Sequence, residues 1–390
     1  MRVAVTGVGA LCAVGGDASS FWRALLEGRS GVAPLTRFAA RDLRSPMVAE
    51  AADGQPGAPN RVDRLALVAA REAISHARLG ALPRDAGIAL GAGVGGLPES
   101  EEAYFGFLGD GRLARRVQGF SRHIPATTAD VLAAEFGARG PRISAATACT
   151  SSTAAIGEGA LWIASGEVDC VLAGASDALT RLTVGGFNSL RLVSMERPRP
   201  FDRRRAGMVV GDAAAFLLLE SEAHASARGA AVLAWLDGFG LSADAFHATA
   251  PNPEGDGALR AMRQALAMAG VEATAVDHVN AHGTGTVAND RAEARALVSL
   301  LGDRAPHVPV ASIKGAVGHC LGAAGAIEAV ASVMSLVHQT VPPCVGFGEA
   351  DPEIPLRIPV QAESLALRAV LCANLAFGGN NAALLFSMAT

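Results

Sequence analysis

Lysine is almost absent from the sequence. Of the 33 basic side chains, 32 are arginine, and the one lysine is Lys314. Arginine carries a bulky planar fork, whereas lysine offers a compact ammonium on a flexible stem. A lone lysine in such a chain is therefore either an accident or a residue that arginine cannot replace. Lys314 lies five residues before His319, in a stretch rich in glycine and alanine. This position indicates a specific role for the lysine.

A basic surplus and an apolar leader are also missing. The formal net charge is -4, which gives no support to nucleic-acid binding. The first nine residues read as a buried strand that enters a glycine turn, without the long apolar core of a signal peptide. A long uncharged stretch, residues 329–348, contains a histidine and two prolines, so no membrane span is predicted. The six cysteines show no C-x-x-C spacing, and we expect a reduced, cytoplasmic protein.

Apolar and small residues dominate the composition. Half of the 390 residues are hydrophobic, 18% are charged and 45 are glycine, which is typical of a closely packed α/β enzyme. Apolar runs that predict buried strands alternate with stretches of helical periodicity. The strands are predicted at 86–91, 170–174, 213–219, 276–281, 308–312, 369–374 and 382–386, and the helices at 61–78, 151–165, 257–269, 290–301 and 322–337.

The domain organisation rests on composition, because no repeat is visible by direct comparison. The composition changes near residues 220–230, which predicts two units, 1–230 and 231–390. Residues 97–124 are less regular and more charged, and they read as an insertion or a cap over a site. Residues 197–205, with five arginines and two prolines, read as an exposed loop.

Cys149 lies where a predicted strand gives way to a helix of small residues. A cysteine at a helix N-terminus meets the positive end of the backbone dipole, which lowers the pKa of its thiol and favours the nucleophilic thiolate. The alternative is a buried cysteine that serves as a small hydrophobe, as we expect for Cys12, Cys170 and Cys372. The turn around Cys149 favours the nucleophile.

Two histidines also follow predicted strands and enter glycine-rich turns. His282 opens the segment His-Gly-Thr-Gly-Thr, and His319 closes the segment Lys-Gly-Ala-Val-Gly-His that begins at Lys314. Side chains at such strand ends lie at the lip of a sheet, where α/β sites form. The other seven histidines lie in ordinary helical, loop or charged contexts, so we expect no catalytic role for them.

Other glycine-rich and ligand-like patterns are less specific. Residues 374–381 could present backbone N–H groups to an oxyanion, or could be only a hairpin turn. Gly7-Val8-Gly9 lacks the third glycine of the dinucleotide fingerprint, so a nucleotide cofactor is given little weight. A zinc site made of Cys149, His282 and His319 is an alternative interpretation, although zinc ligands usually have closer local spacing.

In combination, these motifs resemble those of the elongating β-ketoacyl-acyl carrier protein synthases, members of the thiolase-like superfamily. The likeness covers essentially the whole chain and rests on the Thr-Ala-Cys turn, His-Gly-Thr-Gly-Thr and Lys-x-x-x-Gly-His. It implies an α/β protein with a five-layered αβαβα fold made of two similar halves, and a dimer. The implied reaction is a decarboxylative Claisen condensation with malonyl-acyl carrier protein. No bound cofactor is implied, because the substrates are carried on the phosphopantetheine of the carrier protein.

The resemblance also implies a role for each site residue. Cys149 would hold the acyl chain as a thioester, and His282 and His319 would hold the malonyl thioester carbonyl and promote loss of carbon dioxide. The N–H groups of Phe377 and Cys149 would form the oxyanion hole. The other implied residues are the ion pair Lys314–Glu328, which would orient the histidine region, and the substrate-binding residues Thr284, Thr286, Asp290 and Asn381.

Some segments depart from the usual pattern of the family. Thr-Ser-Ser follows Cys149 where many members have a small residue and then glycine, and the loop at 192–200 is shorter than in fatty-acid enzymes. These departures indicate extension of a polyketide or polyene chain rather than housekeeping fatty-acid elongation, with a homodimer or a heterodimer with a chain-length-factor-like paralogue as the assembly. Two alternatives remain at this point: a thiolase, and a non-catalytic partner subunit that only sets chain length.

The resemblance implies an acidic carrier protein as partner, which predicts a basic rim around the site. The alternative is that these arginines are ordinary solvated side chains. The candidates for this rim are Arg61, Arg64, Arg203, Arg204 and Arg205.

Overall fold

A ten-stranded sheet dominates the computed structural model, which describes residues 2–39, 42–54, 58, 60–111, 120 and 123–389. The strands in the described residues are β1 (Val3–Cys12), β2 (Val32–Pro34), β3 (Met47–Ala49), β4 (Gly87–Gly91), β5 (Arg142–Ala145), β6 (Cys170–Asp177), β7 (Val210–Gly211), β8 (Ala213–Glu220), β9 (Ala234–Ala243), β10 (His278–Asn280), β11 (Val310–Ala311), β12 (Thr340–Val341), β13 (Glu363–Ser364), β14 (Ala369–Leu375) and β15 (Asn380–Met388).

Helices cover both faces of this sheet. They are α1 (Ala18–Leu26), α2 (Arg61–His76), α3 (Leu97–Asp110), α4 (Thr127–Phe136), α5 (Ser151–Ala164), α6 (Arg181–Ser189), α7 (Glu222–Ala227), α8 (Asp256–Ala269), α9 (Val287–Leu301), α10 (Lys314–Val317) and α11 (Ala324–His338). The predicted strands and helices are therefore confirmed, with ends shifted by a few residues. Of the predicted insertion at 97–124, the first part is α3, whereas residues 112–119 and 121–122 lie outside the described residues.

The large sheet consists of two halves with the same strand order. The order β5-β4-β6-β8-β1 in the first half corresponds to β11-β10-β14-β15-β9 in the second, with the same parallel and antiparallel pairs. The halves meet where β1 pairs with β9 over three residue pairs, from Val3–Leu236 to Val5–Ala234. The predicted boundary between residues 230 and 231 falls in the connection before β9 and stays a prediction.

The helices and the two half-sheets form five layers. The buried helices α5 and α11 contact each other between the half-sheets, while α2 lies on the outer face of the first half and α8 on that of the second. The predicted αβαβα fold is confirmed. The segment Leu321–His338, which includes α11, is long and apolar enough to cross a membrane, but 89% of it is buried inside the protein. Its apolar character is accounted for by this central position.

The first strand does not end at a glycine turn, contrary to prediction. It continues through Gly7 and Gly9 to Cys12, with an irregular register between Val5 and Gly7. A Cβ atom at either glycine would collide with a backbone carbonyl oxygen of α2. The glycines are therefore needed where the helix backbone approaches the strand closely, which is a packing role that resembles a turn signal in the sequence.

Candidate active site

A cavity of about 440 Å³ opens where the two halves meet. Cys149 comes from the first half, after β5, while His282 and His319 follow β10 and β11 of the second half. Their ligand atoms lie within 4.8 Å of one another, and all three side chains are buried. The structure therefore brings together three residues that are far apart in the sequence.

Cys149 lies in a short 3-10 turn, Ala148–Thr150, directly before α5. Burial raises the pKa of its thiol to about 11, although the Lys314 charge and the backbone N–H groups of Phe377 and Cys149 act in the opposite direction. The expectation of a lowered pKa is wrong, because desolvation of the thiolate by burial outweighs the Lys314 charge and the backbone N–H groups. The thiol must therefore lose its proton as it reacts.

His319 is held by one contact on each ring nitrogen. Its Nε2 lies 3.0 Å from Cys149 Sγ, and its Nδ1 accepts a hydrogen bond from the backbone N–H of Leu321 at 3.2 Å. Since Nδ1 acts as the acceptor, the ring proton is on Nε2. Leu321 has a left-handed backbone (φ 52°), and the next residue, Gly322, donates its N–H to Asp177 at 2.8 Å. This carboxylate of the first half thus holds the turn that orients His319.

Side chains hold His282 in the same tautomer as His319. Two donors face its Nδ1: Lys314 Nζ at 3.1 Å and Asn374 Nδ2 at 3.3 Å. The proton of a neutral His282 is therefore also on Nε2. The two imidazole rings are nearly perpendicular, with centroids 5.2 Å apart. Burial and the Lys314 charge lower the pKa of both imidazoles well below the ordinary value of 6.5, so both are neutral at pH 7.

The expected ion pair of Lys314 and Glu328 is present and fully buried. Lys314 Nζ also donates to the backbone carbonyl oxygen of His282 at 2.7 Å. Burial raises the pKa of Glu328, while the adjacent ammonium of Lys314 acts to lower it. The pair places a positive charge beside two imidazoles, which disfavours a second positive charge on either ring.

The geometry of the histidines bears on the zinc alternative. A metal bound between the three residues would need a lone pair on each Nε2. Each Nδ1 instead accepts a hydrogen bond, which places hydrogen on Nε2. These contacts favour two imidazoles that donate hydrogen bonds into the cavity rather than two metal ligands.

Phe377 forms part of the cavity wall between β14 and β15. Its ring centroid lies 5.7 Å from that of Phe187 on α6. The turn after it has positive φ angles at Gly378 (79°) and Gly379 (73°), which glycine adopts without strain. This turn brings the N–H of Phe377 to the Cys149 sulfur.

Only two of the four predicted substrate-binding residues line the cavity. Thr284 and Thr286 do so, with hydroxyl oxygens 2.8 Å apart. Asp290 is fully buried and accepts hydrogen bonds from the backbone N–H groups of Phe201 at 2.7 Å and Gly285 at 3.2 Å. Contrary to the prediction, Asp290 does not line the cavity, because its carboxylate holds the turn that carries the threonines.

Asn381 is also absent from the cavity wall. Its Nδ2 donates to Asp244 Oδ1 at 2.8 Å and to the backbone carbonyl oxygen of Gly379 at 3.0 Å. Contrary to the prediction, the Asn381 side chain therefore does not line the cavity. Its amide group instead stabilises the glycine turn next to Phe377.

Two of the predicted docking arginines are buried. Only 5% of the Arg61 side chain and 2% of the Arg205 side chain is exposed, and they pair with Asp212 at 2.6 Å and Asp351 at 2.6 Å. The docking role predicted for these two arginines is wrong. The sequence shows that each side chain is charged, but it does not show that a distant carboxylate pairs with it inside the protein.

The other three candidates are at least partly accessible. Arg203 and Arg204 are 62% and 59% exposed and lie beside Glu349. Arg64 is half-buried, with Nη2 3.9 Å from Glu99.

Sequence reasoning missed two buried polar residues at the histidines. Glu293 accepts the backbone N–H groups of His282 and Gly283 at 2.7 Å each, and burial raises its pKa to about 8. Asn374 contacts His282 Nδ1 and the Glu328 carboxylate. The signal for Glu293 is its position in α9, eleven residues after His282. Asn374 is the first residue of the glycine-containing segment 374–381 but has no motif of its own.

A duplicated α/β fold with a thiol, two neutral imidazoles and paired backbone N–H groups at the junction of its halves defines an enzyme of the thiolase-like class. The N-terminal domain of β-ketoacyl synthases matches residues 1–225, and their C-terminal domain matches residues 233–348. The chain therefore belongs to the β-ketoacyl synthase family, as its motifs imply. The thiolase alternative is set aside, and the two cysteines near the C-terminus, Cys344 and Cys372, are buried outside the cavity wall.

Known relatives match over the full length. Nodulation protein E of Rhizobium meliloti (strain 1021) is 37% identical over 99% of this chain and 98% of that protein. The 3-oxoacyl-[acyl-carrier-protein] synthase 2 of Coxiella burnetii (strain RSA 493 / Nine Mile phase I) is 36% identical over 99% and 98%. Among solved structures, the ishigamide ketosynthase/chain length factor has a TM-score of 0.94 and 34% identity, covering 100% of this chain and 99% of the other.

Proposed function

We propose that this protein extends a fatty-acyl or polyketide/polyene chain by decarboxylative Claisen condensation of an acyl thioester on Cys149 with malonyl-acyl carrier protein. The observation that carries the proposal is the placement of two neutral Nε2–H groups beside one buried thiol. Making a carbon–carbon bond from a thioester enolate requires a covalent acyl holder and a place for the enolate charge. The site offers both in one cavity.

In the first step Cys149 takes the acyl group. Its sulfur attacks the thioester carbonyl of the acyl carrier, a new C–S bond forms, and the bond to the pantetheine sulfur breaks. The proton lost by Cys149 ends on the leaving thiol, so no net charge is created. The N–H groups of Phe377 and Cys149 stabilise the oxyanion of the tetrahedral intermediate.

In the second step malonyl thioester occupies the cavity. Its C–C bond breaks to release carbon dioxide, and the electron pair forms an enolate whose oxygen accepts hydrogen bonds from Nε2–H of His282 and His319. The enolate carbon then attacks the acyl group on Cys149, and the bond to sulfur breaks. The product is a β-ketoacyl thioester on the carrier, longer by two carbons. The Cys149 thiolate takes up a proton from water, so the reaction consumes one proton overall.

The names of the relatives support a proposal for the carrier and the assembly. The synthase of Coxiella burnetii is named for an acyl carrier protein, and the ishigamide ketosynthase is described with a chain length factor. For this chain we propose substrates on the phosphopantetheine of an acyl carrier protein, with Thr284 and Thr286 binding the arm, and no resident cofactor. We further propose a cytoplasmic homodimer, or a heterodimer with a chain-length-factor-like paralogue, in which this chain supplies the nucleophile.

The proposal is tested by incubating the protein with acyl-carrier thioesters of varied chain length and malonyl-acyl carrier protein. Mass spectrometry should show an acyl group on Cys149 and a product longer by two carbons. The assay is run with the chain alone and with a co-expressed paralogue, to distinguish the two assemblies. A protein that never becomes acylated in either arm would instead be a non-catalytic partner subunit.

Reversing the exposed charges of Arg203 and Arg204 to glutamate should weaken the use of carrier-bound substrate. Arg203 and Arg204 precede Ala206 and Gly207 of the cavity wall, and a partner that is acidic would be repelled by the new charges. We expect KM for acyl-carrier protein to rise about tenfold, as rim charges act mainly on encounter. KM for a small acyl thioester should stay the same.

Arg368→Glu is the matched control for this change. Arg368 is 78% exposed and pairs with Asp277, which directly precedes β10, whereas His282 follows that strand at its other end. The control should leave both KM values unchanged. An equal effect of Arg203→Glu/Arg204→Glu on carrier-bound and small substrates would contradict a docking role.

A further inference from the structure

The buried residue Asn374 on β14 contacts three groups. They are His282, the Lys314–Glu328 ion pair, and α5, the helix that directly follows Cys149. Asn374 Oδ1 accepts a hydrogen bond from the Thr153 hydroxyl at 2.6 Å, and Thr153 is in α5, four residues after Cys149. Its Nδ2 donates to the Glu328 carboxylate and lies 3.3 Å from His282 Nδ1. All of these side chains are buried.

The orientation of the Asn374 amide is fixed by its neighbours. A carboxylate paired with an ammonium can only accept hydrogen bonds, so the group that faces Glu328 must be the NH₂. The second hydrogen of the same NH₂ is then available to His282 Nδ1. The carbonyl oxygen is left for the Thr153 hydroxyl, and each polar atom of the amide has a partner.

We propose that Asn374 is a positioning residue for decarboxylation, which holds His282 with its proton on Nε2 and links it to α5, the helix that directly follows the nucleophile. This inference rests on the proposed function. The Lys314 ammonium donates to three acceptors: His282 Nδ1, the His282 carbonyl oxygen and the Glu328 carboxylate. Asn374 supplies a second donor to Nδ1 that carries no charge, so it fixes the ring without adding to the positive field.

The charged and titratable groups around His282 define what a substitution would change. Lys314 and His319 face the ring, and Glu328 pairs with Lys314. Cys149 lies across the cavity, and Glu293 accepts the backbone N–H of His282. Asn374→Asp keeps the shape but replaces the NH₂ by a carboxyl oxygen. The new carboxyl group lies against the Glu328 carboxylate, so the two share a proton. The oxygen that it turns toward Nδ1 accepts a hydrogen bond, which favours hydrogen on Nδ1, stabilises the imidazolium and raises the pKa of His282.

The test compares two half-reactions in Asn374→Asp and in wild-type enzyme. We expect decarboxylation of malonyl-acyl carrier protein to fall about tenfold at pH 7, in proportion to the loss of one positioned donor. Its rate should gain a dependence on pH, falling further as pH is lowered from 8 to 6, where the wild-type rate is flat. Acylation of Cys149, followed by intact-protein mass spectrometry, should stay within about twofold because it does not use His282 Nε2–H.

Asn280→Asp is the matched control, since Asn280 is a buried asparagine on the neighbouring strand β10 whose Nδ2 donates to the backbone carbonyl oxygen of Glu328 at 3.0 Å. It should lower stability in the same way without changing the ratio of the two half-reactions. Asn374→Ser serves as a second variant if Asn374→Asp does not fold, and it should lower decarboxylation without the new pH dependence.

The outcomes separate this inference from the proposed function. If both half-reactions fall by one factor in Asn374→Asp and Asn280→Asp, with a flat pH profile, the positioning role is wrong. If wild-type enzyme shows neither half-reaction with any carrier, the proposed function is wrong instead.

Discussion

Replacing Cys149 by alanine should abolish condensation, with a loss on the order of 10⁴-fold or more, because no other cysteine in the described residues reaches the cavity. Decarboxylation of malonyl-acyl carrier protein should persist within about tenfold, since the donors on His282 and His319 remain in place. Condensation is measured by mass spectrometry of the carrier-bound product, and decarboxylation by release of labelled carbon dioxide.

Cys372→Ala provides the control for Cys149→Ala. Cys372 is a fully buried thiol on β14 that does not line the cavity, so its removal should cost some stability but leave both reactions intact. Undiminished condensation in Cys149→Ala would reject the assignment of the nucleophile. Loss of decarboxylation together with condensation would show that the sulfur also takes part in breaking the malonyl C–C bond.

Lys314→Met should destabilise the protein by about 3–5 kcal/mol at pH 7, because it leaves the carboxylate of Glu328 buried without its cation. The pKa of Glu328 is already raised above its ordinary value of 4.5 by burial, and removal of the ammonium raises it further. The folded state then binds the proton more tightly than the unfolded state. The free energy of unfolding should therefore fall as pH rises above about 4.5, as measured by urea denaturation at several pH values.

The double variant Lys314→Met/Glu328→Gln separates stability from catalysis. With both charges removed, most of the lost stability should return and the dependence on pH should disappear. Decarboxylation should remain impaired, because His282 has lost one donor to Nδ1 and the charge that disfavours the imidazolium. A double variant with full activity would show that the ion pair serves the fold alone.

The three residues of the proposed catalytic centre could be predicted because their positions depend on local chain geometry. Cys149, His282 and His319 each follow a buried strand and enter a turn of small residues, and the ends of such strands meet at one edge of a sheet. The alternation of apolar runs and helical periodicity likewise predicts the α/β class. These features are local in sequence, so they can be read without knowledge of distant contacts.

The errors concern properties that depend on distant parts of the chain. Arg61 and Arg205 are buried because Asp212 and Asp351, 151 and 146 residues away, neutralise them. The pKa of Cys149 is raised because the second half of the molecule covers it. Neither the burial of these arginines nor the raised pKa of Cys149 can be recognised from the neighbouring residues in the sequence.

Asn374 shows the same difficulty at the histidine itself. Its importance comes from three partners on three different elements, Thr153, His282 and Glu328. In the sequence it is only a polar residue at the end of an apolar run.

The contact between β1 and β9 has a consequence for how the enzyme tolerates change. Sulfur and imidazoles belong to opposite half-molecules that are joined edge to edge by three residue pairs. The catalytic rate therefore depends on how the two half-molecules are positioned relative to each other, as it does in enzymes whose sites are shared between subunits. A substitution that slightly displaces one half-molecule relative to the other can abolish activity while each half keeps its own fold.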